Sequence, residues 1–139
     1  MNQRILDRIT EISLAIKPME IIKDEQFHLS FAVRKSRIIQ IGQNNYKKRH
    51  NSNKFGIYKP FKTAAPKTTY IPCTHSELNL ATRLGLETWE GLEIVNVRLN
   101  NQGELRLAKP CCNCYNNIIN VLSPKRVFYS TSEGTFVQL

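Results

Sequence analysis

Two short segments constrain this chain more than any other feature of its sequence. The first is Thr74-His75-Ser76-Glu77, and the second, further along, is Pro110-Cys111-Cys112-Asn113-Cys114. A catalytic zinc site takes three protein ligands and keeps a fourth position for water, and one imidazole with two thiolates meets that requirement. We therefore predict that His75, Cys111 and Cys114 bind a Zn²⁺ ion where two distant parts of the chain meet.

The residue types also predict what such a site can do. Two thiolates and a neutral imidazole offset the charge of the dication, and a zinc ion in such a setting lowers the pKa of water into the neutral range. Glu77 follows the predicted histidine ligand closely and is not needed as a ligand itself. Its carboxylate is therefore predicted to carry protons in a hydrolytic reaction.

Both segments are predicted to begin a helix. Pro110 suits a first helical turn, Cys111 and Cys114 share one helical face, and an apolar run follows them (Ile118, Ile119, Val121 and Leu122). The positive end of a helix favours thiolate over thiol. For the other helix, Thr74 is the predicted N-cap, and Gly85 and Gly91 mark the end. Two helix N-termini would then converge on one metal ion.

Each segment has another interpretation when it is taken alone. Glu77 also occupies a capping-box position, where a carboxylate only stabilises the start of a helix. Cys-x-x-Cys occurs in redox pairs and in structural zinc sites, which here could be completed by Cys73, His28 or His50. Cys73 and Cys112 are interpreted as small, buried or half-buried thiols beside the predicted ligands.

The ordered combination of His-x-Glu and Pro-Cys-x-x-Cys resembles the signature of the cytidine deaminase-like superfamily of zinc-dependent nucleoside, nucleotide and nucleobase deaminases. The resemblance covers nearly the whole chain. It implies an α/β, three-layer fold in which a mixed sheet of about five strands carries two zinc-bearing helices and an N-terminal helix. It also implies that Glu77 transfers protons and that ammonia is released.

The order of elements predicted from the sequence agrees with that fold. Asn2 to Lys17 carries isoleucines at helical spacing, which predicts a first helix that covers one sheet face. A basic turn, Arg34 to Ser36, separates two β-rich runs and predicts a hairpin. The predicted strands are Phe27 to Val33, Arg37 to Ile41, Leu92 to Leu99 and Arg126 to Thr131, and Glu104 to Lys109 leads into the cysteine-bearing helix.

The end of the chain predicts a closing hairpin. Ser132-Glu133-Gly134 separates Val127-Phe128-Tyr129 from Phe136-Val137, and three residues ending in glycine can close a hairpin but cannot hold a crossover helix. The last two strands are therefore predicted to be antiparallel, which resembles the branch of free cytidine deaminases. A frayed tail is the alternative. The preference for cytosine over adenine rests on this branch alone.

Substrate contacts are predicted from the resemblance. Gly42-Gln43-Asn44 is similar to a Gly-x-Asn step whose asparagine binds the sugar in many members, which indicates Asn44, with Asn45 as the next candidate. A turn asparagine explains the same pattern equally well. Ser76 stands where members of the superfamily commonly have alanine, in the element that contacts the edge of the base. Pro110 is the fourth predicted substrate contact.

The composition predicts a single domain, residues 1–139, with a core of its own. Charged residues interrupt the N-terminal segment, so no signal peptide is expected, and no stretch approaches the ~20 apolar residues of a membrane span. Four cysteines around one predicted metal site favour a reducing compartment over a disulfide framework. We therefore expect a cytoplasmic protein that does not contact membranes.

Positive charge is concentrated before and around the first predicted ligand. The formal net charge is +9, and from Gln26 to Ser76 the chain has no Asp or Glu but half of its 20 basic residues. Much of this excess lies in a predicted long basic loop, residues 45–72, where basic residues are interspersed with Tyr46, Phe55, Tyr58, Phe61 and Tyr70. This pattern suits phosphate contacts and base stacking, which indicates single-stranded nucleic acid or a phosphorylated substrate. A solvated basic loop is the alternative.

Three functions therefore remain open. The first is hydrolytic conversion of cytosine to uracil in a cytidine- or deoxycytidine-type nucleoside or nucleotide, with release of ammonia. The second is the same reaction on cytosine within single-stranded DNA or RNA, reached through the basic loop. The third is a nonenzymatic, basic zinc-binding module that contacts RNA or a protein partner, in which Glu77 only caps a helix. The resemblance also implies a homodimer or homotetramer.

Overall fold

One mixed sheet organises the chain, which a computed structural model describes at residues 1–21, 26–44, 75–85 and 88–139. The described strands are β1 (Phe27–Arg34), β2 (Arg37–Gln43), β3 (Glu93–Leu99), β4 (Leu105–Arg106), β5 (Arg126–Ser130) and β6 (Phe136–Gln138). The helices are α1 (Gln3–Ile16), α2 (Ser76–Leu84) and a continuous helical segment, named here the cysteine helix. That segment consists of α3 (Cys112–Cys114), a π-helical turn (Tyr115–Ile119) and α4 (Asn120–Leu122).

The strands follow the order β2-β1-β3-β5-β6 across the sheet. β2, β1 and β3 are antiparallel neighbours, β3 and β5 run parallel, and β5 and β6 are again antiparallel. β4 pairs with the end of β3, at Arg98 and Leu99. Because β1 pairs with β3 along its whole length, β4 lies on the β5 side of β3. The parallel pair β3–β5 needs a crossover connection, and the cysteine helix lies in it.

Helices cover both faces of the sheet. α1 begins where the side chain of Asn2 accepts a hydrogen bond from the backbone N–H of Arg4, and it ends before Pro18, which cannot continue a helix. α1 packs on one face with alternate residues of β1 and β3: Leu6, Ile9, Phe27, Leu29, Phe31, Val33, Val95, Val97 and Leu99. α2 and the cysteine helix pack on the other: Ala32, Leu78, Leu80, Ala81, Ile94, Cys114, Ile119, Leu122 and Val127.

Several expectations from the sequence are confirmed. The chain is α/β with a mixed sheet, and the first helix covers one face of it. Lys35 and Ser36, with φ of 50° and 58°, make the two-residue turn of the β1–β2 hairpin, a backbone form suited to the twist of paired strands. The last two strands are antiparallel, so the frayed-tail alternative is wrong. β4 was not predicted: the run from Glu104 to Lys109 contains a short strand.

Some predicted residues lie outside the described part of the chain. These are the basic loop at residues 45–72 with Asn45 and His50, and the two residues Cys73 and Thr74 that precede the first predicted ligand. Among the helices that are described, none is long and apolar enough to cross a membrane.

Candidate metal centre and buried carboxyl group

The three predicted metal ligands come together at one place. Nδ1 of His75 lies 3.3 Å from Sγ of Cys114 and 3.8 Å from Sγ of Cys111, and all three ligand atoms lie within 4.8 Å of one another. In a tetrahedral site with Zn–S of about 2.3 Å and Zn–N of about 2.1 Å, neighbouring ligand atoms are roughly 3.6–3.8 Å apart. One nitrogen and two sulfurs at these distances fit a single metal ion of that size and softness. Zinc itself stays a prediction.

Both ligand segments begin a helix, as predicted, but each helix begins one or two residues later than expected. His75 is the N-cap of α2, in extended conformation (φ −76°, ψ 154°), so the prediction of Thr74 as N-cap is wrong. Cys111 is the N-cap of the cysteine helix, and its sulfur accepts a hydrogen bond from the backbone N–H of Cys114. Pro110 therefore precedes the cap and does not lie in the first turn. The sulfur of Cys111 takes the place of the usual capping oxygen.

A glycine allows α2 to approach the sheet. A Cβ atom at Gly42 in β2 would overlap the backbone of α2, at Leu80 N and Ser76 O, and would lie 2.8 Å from Leu80 Cα. The side chain of Asn79 also accepts a hydrogen bond from the backbone N–H of Gln43, at 3.0 Å. The beginning of α2, which carries His75 and Glu77, is therefore fixed against β2 by close backbone packing.

His75, Cys111 and Cys114 are called here the ligand group, and the contacts among them favour a thiolate. The hydrogen bond with Cys114 lowers the pKa of Cys111 to about 4, and His75 acts in the same direction. The hydrogen bond with Cys111, together with burial, raises the pKa of Cys114. The hydrogen bond with Cys111 likewise raises the pKa of His75. The two thiols thus share a proton, and the group already holds at Cys111 the thiolate form that binds metals.

Glu77 is buried beside this group without being part of it. Its side chain is 7% exposed, and burial raises the pKa of its carboxyl group, whereas contacts with Cys114 and His75 oppose the rise. It is the second residue of α2, one position short of the capping-box position, so the capping-box alternative does not fit. A carboxyl group that is buried, next to possible metal ligands and not among them can take part in proton transfer.

Two residues that the sequence analysis missed hold this carboxyl group from behind. Ser30 in β1 and Asn96 in β3 are directly paired across the sheet, on the face that α2 covers. Ser30 Oγ lies 2.8 Å from Ser76 Oγ and 2.8 Å from Asn96 Oδ1. Asn96 Nδ2 donates to Glu77 Oε1 at 3.0 Å, and Ser76 Oγ lies 3.3 Å from the same oxygen. One signal was present: each is a polar residue between two apolar neighbours of a β-rich run, Leu29 and Phe31 for Ser30, and Val95 and Val97 for Asn96.

The hydrogens of this network can be counted. Three oxygen–oxygen contacts share the hydroxyl protons of Ser30 and Ser76, and Asn96 Oδ1 can only accept. Ser30 donates to Asn96, and Ser76 donates to Glu77, so a hydroxyl and an amide both give hydrogen bonds to the same carboxyl oxygen, Oε1. The network therefore holds Glu77 as an acceptor of hydrogen bonds, while burial raises the pKa of its carboxyl group.

A cavity of about 270 Å³ opens onto the ligand group and Glu77. Burial and the nearby charge of Arg98 lower the pKa of His28 in its wall to about 4, so the ring is neutral at neutral pH. Its Nε2–H can then donate to Oε1 of Gln26, which lies 2.8 Å away. The cavity is lined by Gln26, His28, Asn44, His75, Ser76, Glu77, Leu107, Lys109 and Cys111.

The predicted substrate contacts fall into two groups. Asn44 and Ser76 line the cavity, whereas Pro110 is not among its lining residues. The side chain of Asn44 is engaged with backbone: its Oδ1 accepts from the N–H of His28 at 3.0 Å, and its Nδ2 donates to the carbonyl of Gln26 at 2.6 Å. Asn44 therefore ties the end of β2 to the start of β1, and a sugar contact stays a prediction.

Two expectations about neighbouring side chains can be compared with the structure. Cys112 is exposed, so its interpretation as a buried or half-buried thiol is wrong: it is the first residue of its helix and is not in the ligand group. His28 lines the cavity but is not in the ligand group, so it does not complete a closed site there. Among the described residues, the group has three ligand atoms, and Cys73 and His50, the other candidates for a closed site, lie outside the described residues.

Comparison of this chain with protein-family models, with curated proteins and with solved structures finds no match.

Proposed function

We propose that this chain is a zinc-dependent hydrolytic deaminase of the cytidine deaminase-like superfamily, which converts cytosine to uracil in a cytidine- or deoxycytidine-type nucleoside or nucleotide. The observation that carries the proposal is the location of Glu77. Buried Glu77 lines one cavity together with His75 and Cys111, and the ligand atom of Cys114 lies within 4.8 Å of theirs. A structural metal site needs neither a cavity nor an acid of this kind.

The arrangement of helices and strands supports the same proposal. α1 covers one face of the mixed sheet, and α2 and the cysteine helix bring their N-termini together on the other. This is the arrangement that the resemblance implies. The antiparallel pair β5–β6 resembles the branch of free cytidine deaminases, and the preference for cytosine rests on it.

The proposed reaction adds one water and releases one ammonia. The water oxygen bonds to C4 of the base, the bond between C4 and the amino nitrogen breaks, and the products are uracil and ammonia. A zinc ion held by His75, Cys111 and Cys114 would supply a Lewis acid that makes this water easier to deprotonate. Glu77 accepts the water proton, delivers it to the ring nitrogen N3, and carries a further proton to the departing amine.

The described cavity wall suits a small group that forms hydrogen bonds. Its volume of about 270 Å³ is close to the lower end of the roughly 300–1,000 Å³ range of small-molecule pockets. Neutral His28, the Gln26 carboxamide and the Ser76 hydroxyl offer hydrogen bonds to a base or sugar without adding charge. Among the described lining residues, Glu77 is the one carboxylic acid, so no other carboxyl group there could take over its proposed proton transfer.

An ammonia-release screen with measured zinc content tests the proposal. The substrates are cytidine, deoxycytidine, their phosphates, adenosine, and short single-stranded DNA and RNA. We expect release from a cytosine nucleoside or nucleotide and one zinc per chain. In Glu77→Ala, zinc content should stay the same and the rate should fall by about 10²–10⁴-fold. A Glu77→Ala protein that is as active as the unchanged protein would refute the catalytic role.

The charge distribution favours a second candidate, deamination of cytosine within a single strand. The stretch from Gln26 to Ser76 has ten basic residues and no acidic one, and Lys109 lies at the cavity. Turnover of a single strand in the screen, with slow turnover of free cytidine, would favour this candidate. One bound zinc with no ammonia from any substrate would favour the nonenzymatic module instead.

A further inference from the structure

The polar pair beneath α2 is the least expected feature of the core. Ser30 and Asn96 are 0% and 1% exposed, and on the same sheet face they lie between an apolar pair, Ala32 and Ile94, and a polar pair, His28 and Arg98. Burying a hydroxyl and a carboxamide is unfavourable unless both form hydrogen bonds, and an apolar pair would pack there without that requirement. The hydrogen bonds that satisfy the two side chains lead to Ser76 and Glu77.

The chemistry of the pair fixes the direction of the Asn96 amide. The carboxylate of Glu77 can only accept, so it takes the Nδ2 end of the amide, and Oδ1 is left to accept from the Ser30 hydroxyl. Asn96 Nδ2 then holds Oε1 of Glu77, and fixing one carboxylate oxygen also fixes the side-chain torsions that direct the other. Because β1 and β3 are paired along this stretch, the donor is carried by the rigid sheet and not by a loop.

We infer that Asn96, with Ser30 behind it, is a positioning residue for Glu77 and keeps the carboxyl group beside the metal ligands. The inference rests on the proposed function for its kinetic consequence, but not for its structural one. Partners that orient the groups around a metal site typically account for 10–100-fold in activity or affinity. Neither side chain lines the cavity, so their effect should be on kcat and not on KM.

Two variants separate positioning from stability. Ser30→Ala removes the hydroxyl that orients the amide, and Asn96→Leu keeps a similar shape but removes the donor. The matched control is Ser13→Ala, because Ser13 is also 0% exposed, donates to the carbonyl of Ile9 at 2.7 Å, and belongs to α1 on the opposite side of the sheet. We expect kcat to fall by about tenfold in Ser30→Ala and about 100-fold in Asn96→Leu. KM and zinc content should stay within twofold, and Ser13→Ala should keep the original kcat.

A crystal structure of zinc-loaded Ser30→Ala gives a second readout that needs no activity. We expect the ligand atoms of His75, Cys111 and Cys114 to stay in place and the Glu77 carboxyl group to move or to adopt several conformations. An unmoved Glu77, an unchanged kcat, or an equal loss in Ser13→Ala would overturn the inference. If the unchanged protein releases no ammonia from any substrate, the proposed function fails, and the position of Glu77 in the variant still decides whether Ser30 and Asn96 position it.

Discussion

At the residue scale, three cysteines of one helical segment have three different environments. The sulfur of Cys111 caps the helix and faces His75, Cys114 is fully buried against the sheet, and Cys112 is exposed and outside the ligand group. Adjacent positions on a helix point in different directions, so the spacing of three in Cys-x-x-Cys selects the two sulfurs that converge.

Serine substitutions of these three cysteines should therefore differ in their effect on zinc content. Cys114→Ser and Cys111→Ser replace a thiolate by a hydroxyl that stays protonated and binds zinc weakly, so each should lose most of its zinc. Cys112→Ser, the matched control on the same helix, should keep one zinc per chain. Elemental analysis of the purified proteins measures the ratio. Zinc loss in Cys112→Ser equal to that in Cys114→Ser would contradict the ligand assignment.

His28 should make folding stability depend on pH. Its pKa is about 4 in the folded chain and 6.5 as an ordinary histidine, so between these values the unfolded chain binds more protons. The contribution of neutral His28 to stability is therefore complete above pH 6.5 and is lost as the pH falls toward 4. The loss is about 3–4 kcal/mol at most, because one pKa unit corresponds to about 1.4 kcal/mol.

Urea unfolding at pH 7.5, 6 and 5 measures this effect. The free energy of unfolding of the original protein should fall more steeply toward acid than that of His28→Gln, which keeps a hydrogen-bonding side chain but has no proton to gain. The difference between the two slopes isolates His28 from the carboxylates, which titrate in both proteins. Parallel slopes would show that His28 is not held neutral by its surroundings.

At the element scale, the position of α2 depends on the close approach of its backbone to β2. Gly42→Ala places a methyl group against the backbone at Ser76 and Leu80, which cannot rotate away, so the helix must shift. We expect a loss of about 1–3 kcal/mol in stability and a clear fall in ammonia release, because α2 carries Glu77. Thermal unfolding and the kinetic assay measure the two effects.

Gly85→Ala is the matched control for that experiment. Gly85 ends α2 with φ of 74°, and nothing lies within 4 Å of a Cβ placed there. Alanine at this position should cost about 1–3 kcal/mol through backbone strain alone, because φ 74° and ψ 124° lie in a region that L side chains rarely adopt. The rate per folded molecule should then be unchanged. Equal losses of rate in Gly42→Ala and Gly85→Ala would contradict the idea that Gly42 affects activity through the position of α2.

The elements differ in how well the sequence predicts them. The first helix and the β1–β2 hairpin were predicted because their signals are local: isoleucines at helical spacing, and a basic turn at Lys35 and Ser36 between two apolar runs. The helix starts near His75 and Cys111 were displaced by one or two residues. There, the ligand side chains occupy the cap positions, which are usually taken by residues such as Thr74.

The ligand group was predictable and its support was not. His75, Cys111 and Cys114 follow a short pattern whose chemistry constrains the fold. By contrast, the contact of Asn96 with Glu77 depends on the pairing of Ser30 with Asn96 and on the close packing of α2 on the sheet. Neither the register of distant strands nor the depth of helix packing is encoded in a local spacing, so these two residues could only be recognised in the folded chain.

At the scale of the whole molecule, charge and cavity favour different candidates for the proposed substrate. Apart from Glu77, the candidate ligands and Lys109, the described cavity wall has no charged side chain, whereas the chain as a whole has a formal net charge of +9. Long-range attraction affects how fast an anion arrives, and the cavity decides what is converted. A neutral nucleoside and a polyanionic strand should therefore respond differently to salt.

The salt dependence of kcat/KM distinguishes these substrates. For free cytidine, which is neutral, kcat/KM should change by less than about twofold between 50 and 200 mM salt. For a single strand that contacts about four phosphates, it should fall about 50-fold, since each contact contributes about −0.7 to the log–log slope. If the basic loop makes those contacts, Lys47→Ala and Lys48→Ala should each flatten the salt slope for the strand. Lys125→Ala is the matched control: it removes the same charge from an exposed residue outside the loop and should leave the slope unchanged. If kcat/KM for the strand depended on salt as little as kcat/KM for cytidine, the basic loop would not contribute to turnover of the strand. That result would favour the free nucleoside as the substrate.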